Sequence, residues 1–189
     1  MITKETFKKW KAFSGTVTLL GAADVDKIVT TVNMANVAYT IAAQPSVPSR
    51  ISVSQTAVGT ADTSGIITVV GTVNGVTTSE VITPVAGSVV YGLKYFSAVA
   101  SVTGSGWAAV STNDTITIGV SMEGFIYTNG QSIWIKDIAG NMFIEPIGVA
   151  TATDFPMVTG EEQELVASSG ISFIADSSGA TLKYIIYEA

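Results

Sequence analysis

The side chains of this chain that could do chemistry are almost all carboxylates. The candidates are Asp24, Asp26, Asp62, Glu80, Asp114, Glu123 and the group Glu161, Glu162 and Glu164. Two carboxylates at a fixed separation would serve a glycosidase, and the alternate-residue pair in Asp24-Val25-Asp26 would offer oxygen ligands to calcium. Their settings argue for neither. Asp62 sits in Gly59-Thr60-Ala61-Asp62-Thr63-Ser64-Gly65, which is turn chemistry, and Asp114 follows Asn113 at a strand entry, where an Asx-type hydrogen bond is the ordinary outcome. Glu161, Glu162 and Glu164 follow Gly160 and read as a solvated face or as one helical turn capped by Thr159. Asp24-Val25-Asp26 lacks the EF-hand loop that gives such spacing its meaning. No catalytic residue, metal ligand or cofactor is expected.

The missing residue types narrow the chemistry further. The chain has no His and no Cys, and its single Arg is Arg50. Triads that use an imidazole base, thiol catalysis and zinc sites built on His and Cys are therefore excluded. No Ser-x-x-Lys or nucleophile-elbow signature is present. Gly104-Ser105-Gly106 lacks the third glycine and the following helix of a nucleotide fingerprint. Trp10, Trp107, Trp134 and the six tyrosines could line a sugar-binding face, although aromatic residues in strands more often serve cores and interfaces. The expectation is a protein that is not an enzyme.

The elements that would hold these residues are strands. Ile66 to Val73 runs into Asn74-Gly75, and Val76 to Thr83 runs back out. Asn-Gly between two β-branched runs predicts a hairpin closed by a type I′ turn, because both central residues must take positive φ. Thr16–Leu20, Ala38–Ala42, Arg50–Ser54, Val89–Tyr91, Lys94–Thr103 and Asp114–Val120 read as further strands, and 27–32 as a strand or a helical turn. Pro45 and Pro48 mark a loop or an edge. From Ser121-Met122-Glu123-Gly124 onward the strand candidates, 125–127, 132–136, 141–144, 170–174 and 181–187, are richer in aromatics. Short strands separated by turns every 8–12 residues or so predict an all-β, antiparallel β-sandwich or barrel-like module. The expected divisions are an N-terminal arm at 1–14, a sandwich domain at 15–121 and a smaller β-rich region at 122–189, separate or part of the same domain.

Composition points to assembly. At 189 residues the chain suits one large all-β domain or two small ones. Charged residues are 13% of it, about half of the roughly 25% usual in globular proteins. The apolar runs fall far short of the roughly 20 residues that a spanning helix needs, and Met1-Ile2-Thr3-Lys4 opens without a signal-peptide apolar core. Spare apolar surface is then expected to meet other subunits, the alternative being a monomer with a large core. The net charge of −6 divides into +3 over residues 1–11 and −9 over the rest. An acidic body does not bind nucleic acid through phosphate contacts. The arm carries Phe7, Lys8, Lys9, Trp10, Lys11 and Phe13, a basic aromatic stripe expected to dock on its own body or to grip a neighbouring copy.

The phrases Pro48-Ser49-Arg50-Ile51-Ser52-Val53, Thr68 to Gly75, Ser79 to Pro84, Phe96 to Thr103 and Asp114 to Gly119 follow one another in an order that resembles the β-sandwich module of virion structural proteins of tailed bacteriophages. The resemblance covers roughly residues 35–120. It implies a structural virion component that decorates or cements a capsid, or is otherwise head- or neck-associated, with a tail tube or fibre subunit as the variant and a carbohydrate-binding adhesion module as the rival. It also implies other virion proteins or copies of itself as partners, no membrane, and a virion location after a soluble stage in the host cytoplasm.

Overall fold

The computed structural model describes residues 12–19, 22–35, 37–58, 65–108, 114–146, 154–176 and 179–187. Strands connected by turns and loops account for them, and no helix is present among the described residues. The all-β class is as expected. The first strand is β1 (Ala12–Thr18); then come β2 (Asp24–Asn33), β3 (Ala38–Tyr39), β4 (Ser49–Thr56), β5 (Ile66–Val73), β6 (Val76–Ile82), β7 (Val89–Phe96), β8 (Ala98–Ser105) and β9 (Thr115–Val120). The remainder are β10 (Gly124–Tyr127), β11 (Ser132–Ala139), β12 (Met142–Glu145), β13 (Phe155–Met157), β14 (Glu162–Val166), β15 (Gly170–Ala175) and β16 (Thr181–Tyr187).

These strands belong to two compact units, one spanning 22–124 and the other joining 1–21 to 125–189. The first, the inserted unit, holds β2 to β9 in two four-stranded sheets ordered β2-β9-β4-β7 and β3-β8-β5-β6. Its first strand pairs with its last, its second with its seventh, its third with its sixth and its fourth with its fifth, all antiparallel. A hairpin of four strand pairs rolled up in this way is a jelly roll. The second, the split unit, holds β1 and β10 to β16 in sheets ordered β1-β16-β11-β14 and β10-β15-β12-β13. Renumbered within the unit, that is the same winding. The chain therefore encodes one topology twice, with the whole of one copy placed between the first and second strands of the other.

This division departs from the expected 1–14, 15–121 and 122–189. Residues 12–18 form β1, which pairs with β16 from Ala12↔Tyr187 to Thr18↔Thr181 and so belongs with the C-terminal strands. The reason is long-range: no local pattern tells a first strand which distant partner it will find. The arm residues Phe7, Lys8, Lys9, Trp10 and Lys11 lie outside the described residues, and of Phe13 only the backbone is described, paired with Ile186.

Both cores follow the strand period of two. In the inserted unit Ile51 and Val53 on β4, Ile116 and Ile118 on β9, and Ile67 and Val69 on β5 are fully buried. Gly71 marks where the two sheets touch: a Cβ there would stand 2.8 Å from the Phe96 ring and 2.2 Å from the Ala98 carbonyl. In the split unit Ile133 and Ile135 on β11, Leu182 on β16, Met142 on β12 and Phe173 on β15 fill the same role.

Turn chemistry is local and as expected at Asn74-Gly75, where φ is 49° and 75° and β5 pairs with β6 from Ile67↔Ile82 to Val73↔Val76. Asn129-Gly130 takes the same signs, 53° and 81°, yet joins β10 to β11, which lie in different sheets. One segment overturns its local signal. Glu161 to Val166 reads in the sequence as a solvated face or one helical turn; Glu161, Glu162 and Glu164 are indeed exposed, but Glu162–Val166 is strand β14, registered on β11 from Ser132↔Val166 to Lys136↔Glu162. Pairing with a preformed strand outweighs the modest helix propensity of Glu and Gln. Thr159 does not cap: its hydroxyl donates to the Gly140 carbonyl at 2.8 Å.

Candidate functional site

The carboxylates singled out in the sequence are mostly committed to holding the fold. Asp114 is fully buried and accepts Gln55 Nε2 at 2.7 Å and the Val58 amide at 2.8 Å. Glu123 pairs with Arg50 at 2.7 Å, and the guanidinium lies 5.3 Å from the centre of the Tyr91 ring. Beside this pair, burial pushes the Tyr95 hydroxyl above its ordinary pKa; Arg50 opposes the rise and Glu123 adds to it. Asp24 pairs with Lys27 at 3.5 Å, Glu162 with Lys136 at 2.8 Å, and Glu161 accepts the Val158 amide at 2.9 Å within its turn. Asp26 and Glu164 are not hydrogen-bonded partners in any of these, and Asp62 lies outside the described residues. No group of three or more potential metal-ligating side chains converges among the described residues.

Glu80 performs the most specialised of these tasks. It is on β6, the last strand of its sheet, and its carboxylate crosses to β7, the last strand of the other. There it accepts the Leu93 amide at 2.6 Å and the Lys94 amide at 3.3 Å, while Lys94 Nζ returns to the Ser79 carbonyl at 2.7 Å and the Thr78 hydroxyl at 3.0 Å. Free edge amides are ordinarily a template for adding another strand. Here two of them are already occupied.

What this edge presents outward is apolar. Val81 on β6, Val85 in the connection, and Val89, Tyr91 and Leu93 on β7 are all exposed, Leu93 at 82%. From Val81 to Leu93 the sequence contains no charged residue. The corresponding strands of the split unit repeat the feature with Phe155 on β13, Val158 in the connection and Val166 on β14. Native edges are usually blunted with charge, and apolar groups gathered on an otherwise soluble surface mark interaction sites.

No protein-family model matches this chain, and no curated protein or solved structure shows significant similarity to it. Its functional reading rests on its own residues.

The aromatic candidates separate. Trp107 is a packing residue: its ring lies where a Cβ on Gly65 would come within 1.3 Å, and its Nε1 is 2.8 Å from the Cβ position of Gly104. It borders Tyr39, whose hydroxyl donates to the Met34 carbonyl at 2.7 Å and is pushed up to about 12 by burial. Trp134 is different. It lies between the fully buried Ile133 and Ile135 on β11 and so faces outward, into a cleft of about 450 Å³ on the split unit. Trp10 lies outside the described residues.

Sequence reasoning passed over Asp137. It falls in phase with Ile133 and Ile135, so the strand alternation sends it inward, and it is fully buried. Neither carboxylate oxygen makes a well-formed hydrogen bond, although the Ala139 amide approaches the group. A β-bulge between Asp137 and Ala139 accompanies it, and its backbone is tied to the neighbouring turn through Asp137 N–H to Glu161 O at 3.0 Å and Gly160 N–H to Asp137 O at 2.9 Å. Burial, with lesser repulsion from Glu161 and Asp176, holds its pKa above the ordinary value; the Ala139 amide opposes the rise.

Proposed function

We propose that this chain is a non-enzymatic structural subunit of a phage virion, a decoration, cement or other head-associated protein that docks on an assembled lattice. The observation that carries the reading is the β6–β7 edge of the inserted unit. Its side chains from Val81 to Leu93 carry no charge and several are exposed, while Glu80 occupies two of the amides that would otherwise invite strand addition. Such an edge resists uncontrolled pairing with other strands and still offers a neutral apolar surface to a partner of defined shape. The commitment of Asp114, Glu123, Glu80, Glu161 and Glu162 to structural contacts favours the same reading over a carboxylate hydrolase. A subunit repeated over a symmetric lattice gains avidity from many modest contacts rather than from one large interface.

The test is co-sedimentation of the purified chain with assembled, empty capsids encoded by the same genome. Saturable binding that Leu93→Asp abolishes supports the proposal, because a buried charge at the centre of an apolar contact is costly. Rings or tubes formed by the chain alone would instead identify a tail-tube subunit. A monomer that binds no capsid and ignores the Leu93→Asp change overturns the reading.

A further inference from the structure

The sheet β1-β16-β11-β14 turns one face to its core and one to solvent, and the register fixes what the solvent face carries. Ser14, Ile185, Trp134 and Glu164 form one cross-strand row, because Ser14 pairs with Ile185, Ile185 with Trp134 and Trp134 with Glu164. Thr16, Lys183, Lys136 and Glu162 form the next row. The cleft of about 450 Å³ is lined by Trp134, Ile185, Ser14, Thr16 and Lys183 of these rows, with Gly15 and Tyr184 of the row between them.

The five side chains divide by chemistry. Trp134 and Ile185 supply an apolar floor with one aromatic edge. The Ser14 and Thr16 hydroxyls make no hydrogen bond to another described residue, and Lys183 forms no ion pair among the described residues, although its neighbour Lys136 is taken up by Glu162. An apolar floor with a few convergent free polar groups is the usual make-up of a small-molecule site, and the volume lies within the common range of about 300–1,000 Å³. We infer that this cleft binds an acidic sugar residue, with the C–H face of the pyranose ring on Trp134, its hydroxyls on Ser14 and Thr16, and its carboxylate on Lys183.

Three considerations select this ligand. An aromatic ring beside hydroxyl donors matches a sugar, which is apolar on its faces and polar around its rim. The ammonium of Lys183, which has no ion pair among the described residues of a chain of net charge −6, favours an anion in this cleft. The floor of the cleft offers a peptide backbone no strand to pair with, because β16 lies between β1 and β11 and spends its amides and carbonyls on them; of these three only β1, at the end of the sheet, has a free edge. The inference is independent of the capsid-docking proposal, which concerns the other unit.

The test titrates the full chain with glucuronate, and with glucose as the neutral control, by isothermal calorimetry and saturation-transfer NMR. Saturable binding of glucuronate is expected with a dissociation constant on the order of 1 mM, the range open to so small a ligand. Glucose should bind about tenfold more weakly, one charge-assisted hydrogen bond being lost. Trp134→Ala should abolish binding, and the exposed change Lys183→Gln, which leaves the core untouched, should bring glucuronate down to the level of glucose. Absence of saturable binding, equal affinity for the two sugars, or insensitivity to Lys183→Gln each overturns the assignment. A glycan array then separates cell-surface from free polysaccharide sources of the same sugar.

Discussion

The Glu80 carboxylate and the Leu93 amide, 2.6 Å apart, join the two sheets of the inserted unit at their open edge. The arrangement needs Gly92, because a Cβ there would come within 2.5 Å of Glu80 Oε2. Glu80→Ala leaves two edge amides without their acceptor. It should cost about 1–2 kcal/mol, the lower part of the charge-assisted range because the group is partly exposed. It should also promote association through β7, and Gly92→Ala, which pushes the same carboxylate off these amides, should do so as well. Urea unfolding together with light scattering checks both; unchanged scattering for Glu80→Ala would show that the carboxylate does not guard the edge.

The buried pair of Arg50 and Glu123 makes a second prediction. Removing one partner strands the other, with side-chain exposures of only 17% and 11%. Arg50→Met alone should therefore destabilise by about 2–4 kcal/mol, and the double change Arg50→Met with Glu123→Leu by much less. A double-mutant cycle in urea measures the coupling, and additive losses would contradict it.

Asp137 sets a pH dependence whose sign follows from its environment. Its folded pKa is raised from 3.8, so the protonated side chain favours the folded state. That contribution is fully present below the unfolded value and is lost as pH rises through the raised folded one. Asp137→Asn should accordingly raise the melting temperature at pH 7 by a few degrees, with the advantage fading as the solution is acidified toward pH 4. A constant difference across that range would mean that ionisation of Asp137 is not the cause.

Two glycines separate backbone freedom from space. Gly75 has φ of 75° and nothing within 4 Å of its Cβ position, so Gly75→Ala should cost about 1 kcal/mol from the left-handed conformation alone. A Cβ on Gly71 would meet the Ala98 carbonyl oxygen at 2.2 Å, and backbone does not yield as a side-chain end does. Gly71→Ala should cost about 3 kcal/mol or more, at the upper end for overpacking. Chemical denaturation ranks the two, and the reverse order would refute the packing argument.

What could be read in the sequence was local. Asn74-Gly75 announced its turn because the dipeptide alone decides the φ signs. The alternation in Ile133 to Asp137 was enough to send Trp134 outward and Asp137 inward, although an acid in phase with two isoleucines is easily taken for a surface residue. The partner of β1 was not legible, since pairing across more than a hundred and sixty residues leaves no local trace. Nor was β14, where Glu162, Gln163 and Glu164 favour helix until a sheet edge is present to receive them. The cleft shows the same limit. Trp134 was a visible candidate, but Ser14, Thr16 and Lys183 join it only through the β1–β16–β11 register.

The nesting of one jelly roll within the other has a mechanical condition, and the inserted unit meets it. An insertion is tolerated when its two ends lie close together, so that the host strands need not part. In the inserted unit the first strand pairs with the last, and Asp24 stands opposite Val120 at the very ends. The segment 22–124 also has its own core, built from Ile28, Val29, Ile51, Val53, Ile67, Val69, Phe96, Ile116 and Ile118. It should therefore fold by itself, as a soluble domain with a cooperative thermal transition and a well-dispersed amide spectrum. Moving the cut to the boundaries read from sequence, 15–121, adds most of β1 without its partner β16 and should reduce solubility without adding stability. If 22–124 alone proves unstructured, the two windings are one cooperative fold, and the repetition of topology does not mark independent units.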